Sequence, residues 1–288
     1  MDKFLQNRFG SNGFLNEQLI YGHIGQFFIL LSFFSVAFCL LAYLTSLYTS
    51  SEKEQVLWKR MARIAWLFHI VALLGIFITL FFIILNHRFE YYYAWRHSSL
   101  DLPLKYTIAC FWEGQEGSFL LWQFWQSILG LALIFRKKNW EPQVLAVIAS
   151  VQLFLCSMIL GIHFGDIKVG INPFVLLRDE LSNAPIFSSH EYLNFIKDGN
   201  GLNALLQNYW MVIHPPILFL GFASTIVPFA FCVSALWRNE YKDWVKDCLI
   251  FTLFSAAVLS TGVLMGGAWA YESLRSTKGL IPTFISPK

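Results

Sequence analysis

Residues 64–87 read Ile64-Ala65-Trp66-Leu67-Phe68-His69-Ile70-Val71-Ala72-Leu73-Leu74-Gly75-Ile76-Phe77-Ile78-Thr79-Leu80-Phe81-Phe82-Ile83-Ile84-Leu85-Asn86-His87, without one Lys, Arg, Asp or Glu. A bilayer core of about 30 Å is crossed by about 20 apolar residues in a helix. Backbone in hydrocarbon must also bond internally. The stretch therefore reads as a transmembrane helix. Charge-free runs recur at 18–51, 117–135, 142–165, 199–237 and 248–271. Helices are expected near 24–48, 64–86, 117–135, 143–164, 215–237 and 248–271. The fold class is all-α, a polytopic membrane helix bundle of about six spans with a long outer loop. The first span is too long for a cleaved signal peptide, and no small-residue cleavage site follows it.

Composition agrees. The 288 residues are 56% hydrophobic and 14% charged, against about 25% charged in soluble domains. Those proportions exclude a soluble globular enzyme, a disordered chain and a disulfide scaffold. The formal net charge of +3 is spread over loops and does not suggest a nucleic-acid partner. Cys39, Cys110, Cys156, Cys232 and Cys248 lie in or beside apolar stretches with no CxxC or metal-like spacing. They read as small buried hydrophobes.

Orientation follows from Lys and Arg. Lys53, Lys59, Arg60 and Arg63 follow the first span, Arg136, Lys137 and Lys138 the third, and Arg238, Lys242 and Lys246 the fifth. The positive-inside rule places these three short loops in the cytoplasm. Both termini and the loops at roughly 87–116 and 165–214 then face outward, which is periplasmic for the inner membrane of a bacterium. The long outer loop carries Phe174, Leu176, Leu177, Ile186, Phe187, Tyr192 and Phe195, so an ordered cap is expected over the membrane domain.

Two segments can carry chemistry. In Met211-Val212-Ile213-His214-Pro215-Pro216, the prolines are tolerated in a first helical turn. They are expected to open the fifth span and hold His214 at its outer mouth. A neutral imidazole there can ligate haem iron or another metal, or simply cap the helix or bond a loop carbonyl. Around the third span runs Trp112-Glu113-Gly114-Gln115-Glu116-Gly117-Ser118-Phe119-Leu120-Leu121-Trp122. Glu113 and Glu116, three apart, can bind a cation or a basic partner, or merely favour the helix dipole. Trp112 and Trp122 can form a cofactor platform or an ordinary interfacial belt. Gly114 and Gly117 permit close backbone approach.

His69 is the one histidine well inside a span. An ionisable group there is a functional candidate by default, though bonding to a neighbouring backbone carbonyl explains it equally. His23, His87, His97, His163 and His190 need no special role. Tyr91-Tyr92-Tyr93 with Trp95 reads as an interfacial belt. Gly262 and Gly266 form a GxxxG packing motif. No P-loop, dinucleotide glycine fingerprint or HExxH occurs.

These residues resemble the CcmF/CcsA family of haem-handling proteins of cytochrome c maturation, most closely the N-terminal part of CcmF. The resemblance spans about residues 20–274. It rests on Ile24-Gly25-Gln26-Phe27, Leu102-Pro103-Leu104-Lys105-Tyr106 and the Trp112–Trp122 segment, which is similar to a W-x-G-x-E-G-S-x-x-L-W signature. Asn172-Pro173-Phe174, Asp198-Gly199-Asn200-Gly201-Leu202-Asn203, Leu205-Leu206-Gln207, His214-Pro215-Pro216-Ile217-Leu218 and Gly266-Gly267-Ala268-Trp269-Ala270-Tyr271-Glu272 follow in family order. The resemblance implies that His214 is an axial ligand to haem iron. Trp112, Glu113, Glu116, Gly117, Trp122, Asn203, Gln207, Pro215, Pro216 and Trp269 would support it. It also implies that His69 is not a ligand. A histidine common in the family falls where this chain has Gln115, so Gln115 receives no haem role.

The family's tryptophan-rich WWD motif should follow Trp269, but the chain continues Leu274-Arg275-Ser276-Thr277-Lys278 and ends at Lys288. Residues 1–274 read as the family's N-terminal membrane domain and 275–288 as a tail outside it. A frameshift, a truncated gene or a split gene with its partner elsewhere would each produce this. The implied function is to present haem b at the outer membrane face for attachment to apocytochrome c, as part of a haem lyase assembly. Partners would be apocytochrome c, other maturation subunits or a haem chaperone, a separate chain carrying the WWD motif, and the lipid bilayer. This chain alone is expected to be inactive, with no catalytic acid or base. The rival readings are a membrane transporter of haem or another small molecule and a non-functional fragment.

Overall fold

A computed structural model describes residues 14–136, 139–164 and 167–280. Five helices are long and apolar enough to cross a membrane. They are α1 (Ile20–Tyr48), α2 (Glu52–Leu85), α5 (Gln115–Arg136), α8 (Tyr209–Arg238) and α9 (Trp244–Leu280). Short helices α3 (Tyr92–His97), α4 (Leu104–Ala109) and α7 (Leu177–Glu180) lie in the connections. The chain is an all-α, multi-pass membrane protein.

The expected span at 143–164 is corrected. Its helix, α6, runs Glu141–Ser157 and is shorter than the other five. Beyond it the chain turns through Gly161 at φ +59. It then forms a small antiparallel hairpin, β1 (Ile162–Phe164) on β2 (Ile167–Val169), with Ile162 opposite Val169. A Cβ at Gly170 would stand 2.4 Å from the Ser157 carbonyl oxygen, so this turn needs glycine there. The physical reason for the shorter helix is its surroundings. Val144, Leu145, Ala146, Ile148, Ala149, Gln152, Leu155 and Cys156 are all buried, with α1, α5 and α8 packed around them. A helix walled in by protein is apolar without having to match the lipid thickness.

In the other direction, α2 begins at Glu52, twelve residues before its charge-free run. Glu52 and Glu54 occupy its first turn, where carboxylates oppose the positive end of the helix dipole. α1 packs along α2 and α6, α5 along α8, and α9 chiefly along α8. The α8–α9 seam is close because Gly221 meets the Leu259 backbone and Gly262 meets the Leu218 backbone.

The basic loops meet at one end of the bundle. There Arg63 Nη2 and Nε each donate to Glu141 at 2.6 Å, and Tyr43 Oη donates to the same carboxylate at 3.0 Å. Arg238 donates to the Asn139 carbonyl at 2.8 Å, and Trp140 Nε1 to Asp247 at 2.9 Å. Lys137 and Lys138 lie outside the described residues. The two long loops bind each other at the opposite end. Tyr92 N donates to Val175 O, Leu177 N to Glu90 O, Asn200 N to Trp95 O and Gly201 N to Ser98 O. The expected cap over this end is ordered by Phe174, Leu177 and Tyr192, which are buried, while Phe195 stays exposed. The tail from residue 275 is described only as far as Leu280, where α9 ends.

Candidate functional site

The helix carrying His214 starts earlier than its prolines suggest. Asn208 has extended backbone, and its side-chain oxygen accepts from Trp210 N at 3.2 Å, capping α8 at Tyr209. Pro215 and Pro216 therefore lie inside the helix, a correction to their expected place in its first turn. Competition between signals explains it: an asparagine cap with a free N–H beyond it outweighs the proline preference. Interior prolines leave the carbonyls four residues earlier without their helical donors, here Met211 and Val212. Trp112 Nε1 fills the first vacancy, donating to Met211 O at 2.8 Å. The tryptophan segment before α5 is thereby fixed to α8 one turn from His214.

His214 is 9% exposed. Its ring stands edge-on to Trp269 of α9, with centroids 5.7 Å apart. A Cβ at Gly266 would come within 2.9 Å of His214 Cε1, so glycine at 266 makes the space that the imidazole occupies. Buried His214 Nδ1 has no hydrogen-bond partner among the described residues. Burying a polar nitrogen unpaired costs about 1–3 kcal/mol, and such an atom calls for an explanation. One helix face further along, Trp122 packs against Phe222 and Phe219 of α8, at 5.6 and 6.3 Å. At the start of α8, Trp210 Nε1 donates to Glu272 at 2.8 Å, joining α8 to α9.

The segment before α5 is shaped by Tyr93. Its hydroxyl donates to Phe111 O at 2.7 Å and accepts from Gly114 N at 3.2 Å. A Cβ at Gly117 would sit 1.5 Å from Phe111 O, so no other residue fits. Tyr91 and Tyr93 are buried, and this corrects the interfacial belt expected of them: both phenols are spent inside the cap. Burial, and secondarily the Glu116 carboxylate, hold the Tyr93 hydroxyl well above its usual range, so it is a fixed neutral bridge. Burial and then Glu113 push the Cys110 thiol up to about 12, which leaves it unreactive. Glu113 Oε2 lies 2.9 Å from His97 Nδ1.

Asn203 and Gln207 belong to the lead-in to α8. Leu206 N donates to Asn203 O at 2.8 Å, and Gln207 Nε2 to Leu202 O at 3.0 Å. These bonds shape the turn that leads into α8. His69 lies elsewhere, in a buried polar layer at mid-bundle. Ser32 Oγ is 2.9 Å from its Nδ1, and Gln152 Nε2 is 2.8 Å and Ser127 Oγ 3.0 Å from its Nε2. Its partners are side chains from α1, α5 and α6, not the backbone carbonyl considered above.

The structure thus gathers Trp112, Trp122, His214 and Trp269 along the α5–α8–α9 side. Met211 and Glu272, which carried no role of their own, join them, as do Tyr93, expected only in an interfacial belt, and His97, expected to need no special role. Only the proline pair hinted at Met211, since each proline frees a carbonyl that some donor must reach. Nothing in the spacing signals Glu113 to His97 or Trp210 to Glu272.

The family model described as "Cytochrome C assembly protein" matches residues 112–278, more than half of the chain. The match begins on Trp112 itself. The chain belongs to the cytochrome c assembly protein family. Similar family members include the cytochrome c-type biogenesis protein CcmF of Haemophilus influenzae, 29% identical over 69% of this chain and 28% of that protein. CcmF of Escherichia coli is 29% identical over 73% of this chain and 30% of that protein. A solved structure titled "Cytochrome c Heme Lyase CcmF" matches with a TM-score of 0.66 and 25% identity, over 87% of this chain and 36% of that one. The chain therefore spans about three-tenths of the length of the curated family members it matches.

Proposed function

We propose that this chain is a haem-handling membrane subunit of cytochrome c maturation that presents haem at the end of the bundle where the long loops meet. The observation that carries the reading is the buried, unpartnered Nδ1 of His214 beside Trp269. The residues present fit haem. An imidazole with unspent valence is the iron donor, and Trp269, Trp112 and Trp122 offer aromatic surface nearby. When bound, haem supplies an iron centre for the imidazole and vinyl groups for the CxxCH thiols of apocytochrome c.

The chain's own residues position and tune. Gly266 leaves room for the imidazole, Trp269 limits its rotation, and the Trp112–Met211 bond fixes the turn of α8 below it. Trp122, Pro215, Pro216, Asn203 and Gln207 hold the framework. No side chain here is assigned as acid or base. A haem b group, apocytochrome c, other maturation subunits or a haem chaperone, and a separate chain carrying the WWD surface complete the assembly. The basic loops would face the cytoplasm and the long loops the periplasm. Residues 1–274 would form the family's N-terminal membrane unit, and since the family match itself runs to residue 278, a tail outside the family would begin beyond that point.

The test is the haem spectrum and matured cytochrome c yield of cells carrying the complete assembly, with His214 or with His214→Ala. Loss of the axial-ligand signature and a drop in yield are expected. Full haem content and normal yield in the variant would remove the assignment.

A further inference from the structure

On the lipid-facing side of the bundle, α1 and α2 leave an apolar groove of about 440 Å³. Phe34 and Phe38 of α1 and Ile64 and Phe68 of α2 wall it, and the small side chains of Ser35 and Ala65 open it. All four wall residues are exposed, at the depth of the spans, so they face hydrocarbon. The groove begins at the end carrying the basic loops, because Ile64 is the first residue of the charge-free run.

Arg60 precedes Ile64 by four residues and so lies on the same helix face one turn nearer the water. That is the headgroup level. It is exposed and makes no ion pair among the described residues. Arg63 differs: its guanidinium is committed to Glu141 on the protein side. Lys53 lies two turns below Arg60 on the same row. Glu52 lies on the same four-residue row about 12 Å below Arg60 along the axis, and Glu54 about 9 Å below it but roughly 120° round the helix, so neither carboxylate pairs with it. A cation with no ion-pair partner among the described residues, set one turn from an apolar trough about 10 Å long, matches one ligand chemistry.

We infer that the α1–α2 groove holds one acyl chain of an anionic phospholipid, with the lipid phosphate on Arg60. Both ends of the ligand are recognised. The chain fills a trough that bulk lipid would otherwise pack poorly, and the phosphate accepts from a guanidinium whose planar fork suits it. An interfacial Arg of this kind favours an anionic over a zwitterionic headgroup by about five-fold. The site is independent of the haem reading, since neither residue set touches the other.

The full chain in nanodiscs of equal parts phosphatidylglycerol and phosphatidylcholine tests this, by native mass spectrometry of the lipids retained after gentle activation. The wild type should keep phosphatidylglycerol over phosphatidylcholine. Arg60→Gln should lower phosphatidylglycerol retention about five-fold, and Arg60→Lys should keep most of it. Ser35→Phe, which fills the trough from within, should lose both lipids while the melting temperature holds. Equal retention of the two lipids by the wild type, unchanged retention in Arg60→Gln, or undiminished phosphatidylglycerol in Ser35→Phe would each overturn the inference.

Discussion

Trp112 donates its indole N–H to the carbonyl of Met211 at 2.8 Å, and that carbonyl is available because Pro215, four residues on, has no N–H for it. The proline pair that looks like a helix opener is instead a socket, and the tryptophan of a neighbouring segment is its plug. This bond couples the start of α5 to the turn of α8 beneath His214.

A double-mutant cycle reads that coupling. Trp112→Phe leaves Met211 O unpaired and should destabilise the protein by about 1–3 kcal/mol. In a Pro215→Ala background residue 215 supplies a helical N–H, so the same Trp112→Phe change should cost clearly less. Thermal unfolding in detergent measures both. Equal costs in the two backgrounds would show that the tryptophan acts by packing alone.

At the opposite end, Glu141 is 1% exposed while its partner Arg63 is 42% exposed. Removing the two groups should therefore be unequal. Arg63→Met strands a buried carboxylate and should cost on the order of 3–5 kcal/mol. Glu141→Gln leaves a guanidinium that water already reaches, and should cost much less. Comparable losses would argue that the pair's geometry matters more than the buried charge.

Glu90 gives stability a pH dependence. Burial is the main cause that raises its carboxyl above the ordinary 4.5, outweighing opposing contributions that include Arg88, and Oε1 is buried without a partner. A raised folded-state value favours the protonated form in the fold. That stabilisation is complete below the unfolded-state value near 4.5 and is lost as pH climbs through the raised one. Melting temperature should fall across that window in the wild type and stay flatter in Glu90→Gln, which should be the more stable at neutral pH. Parallel curves would discard the effect.

His69 should matter for folding and not for haem. His69→Leu removes one partner each from Ser32, Ser127 and Gln152, while Ser127 Oγ keeps its bond to Gln123 O and Gln152 Nε2 keeps Gln123 O and Ser127 Oγ, so the layer should lose about 1–3 kcal/mol in all. The unfolding temperature should drop while the haem spectrum of the folded fraction stays that of the parent. A selective change in haem ligation would reverse that assignment.

Much of this architecture is legible residue by residue. The α2 and α5 spans announce themselves by missing charge, and Arg63, Arg136 and Arg238 mark one end. Gly117 is called for wherever backbone must pass backbone at near-contact. The fate of His69, by contrast, is not legible, because its partners Ser32, Ser127 and Gln152 are 37, 58 and 83 positions away. Tyr93 misleads for a related reason: a tyrosine at a membrane boundary looks the same whether its hydroxyl meets water or a buried carbonyl.

Sequence by itself determined what hydrocarbon will tolerate: where the chain crosses, which loops carry its charge, and which family segments follow one another. Charge and unpaired backbone cannot stay in lipid, so that constraint acts locally and can be read locally. Only the tertiary structure decided that α6 is short and walled in, that α8 starts ahead of its prolines, and that the nitrogen of His214 is left unspent beside Trp269. Helices apolar on every side do not reveal which face meets protein, and a hydrogen bond is settled by whichever donor the packing brings within 3 Å.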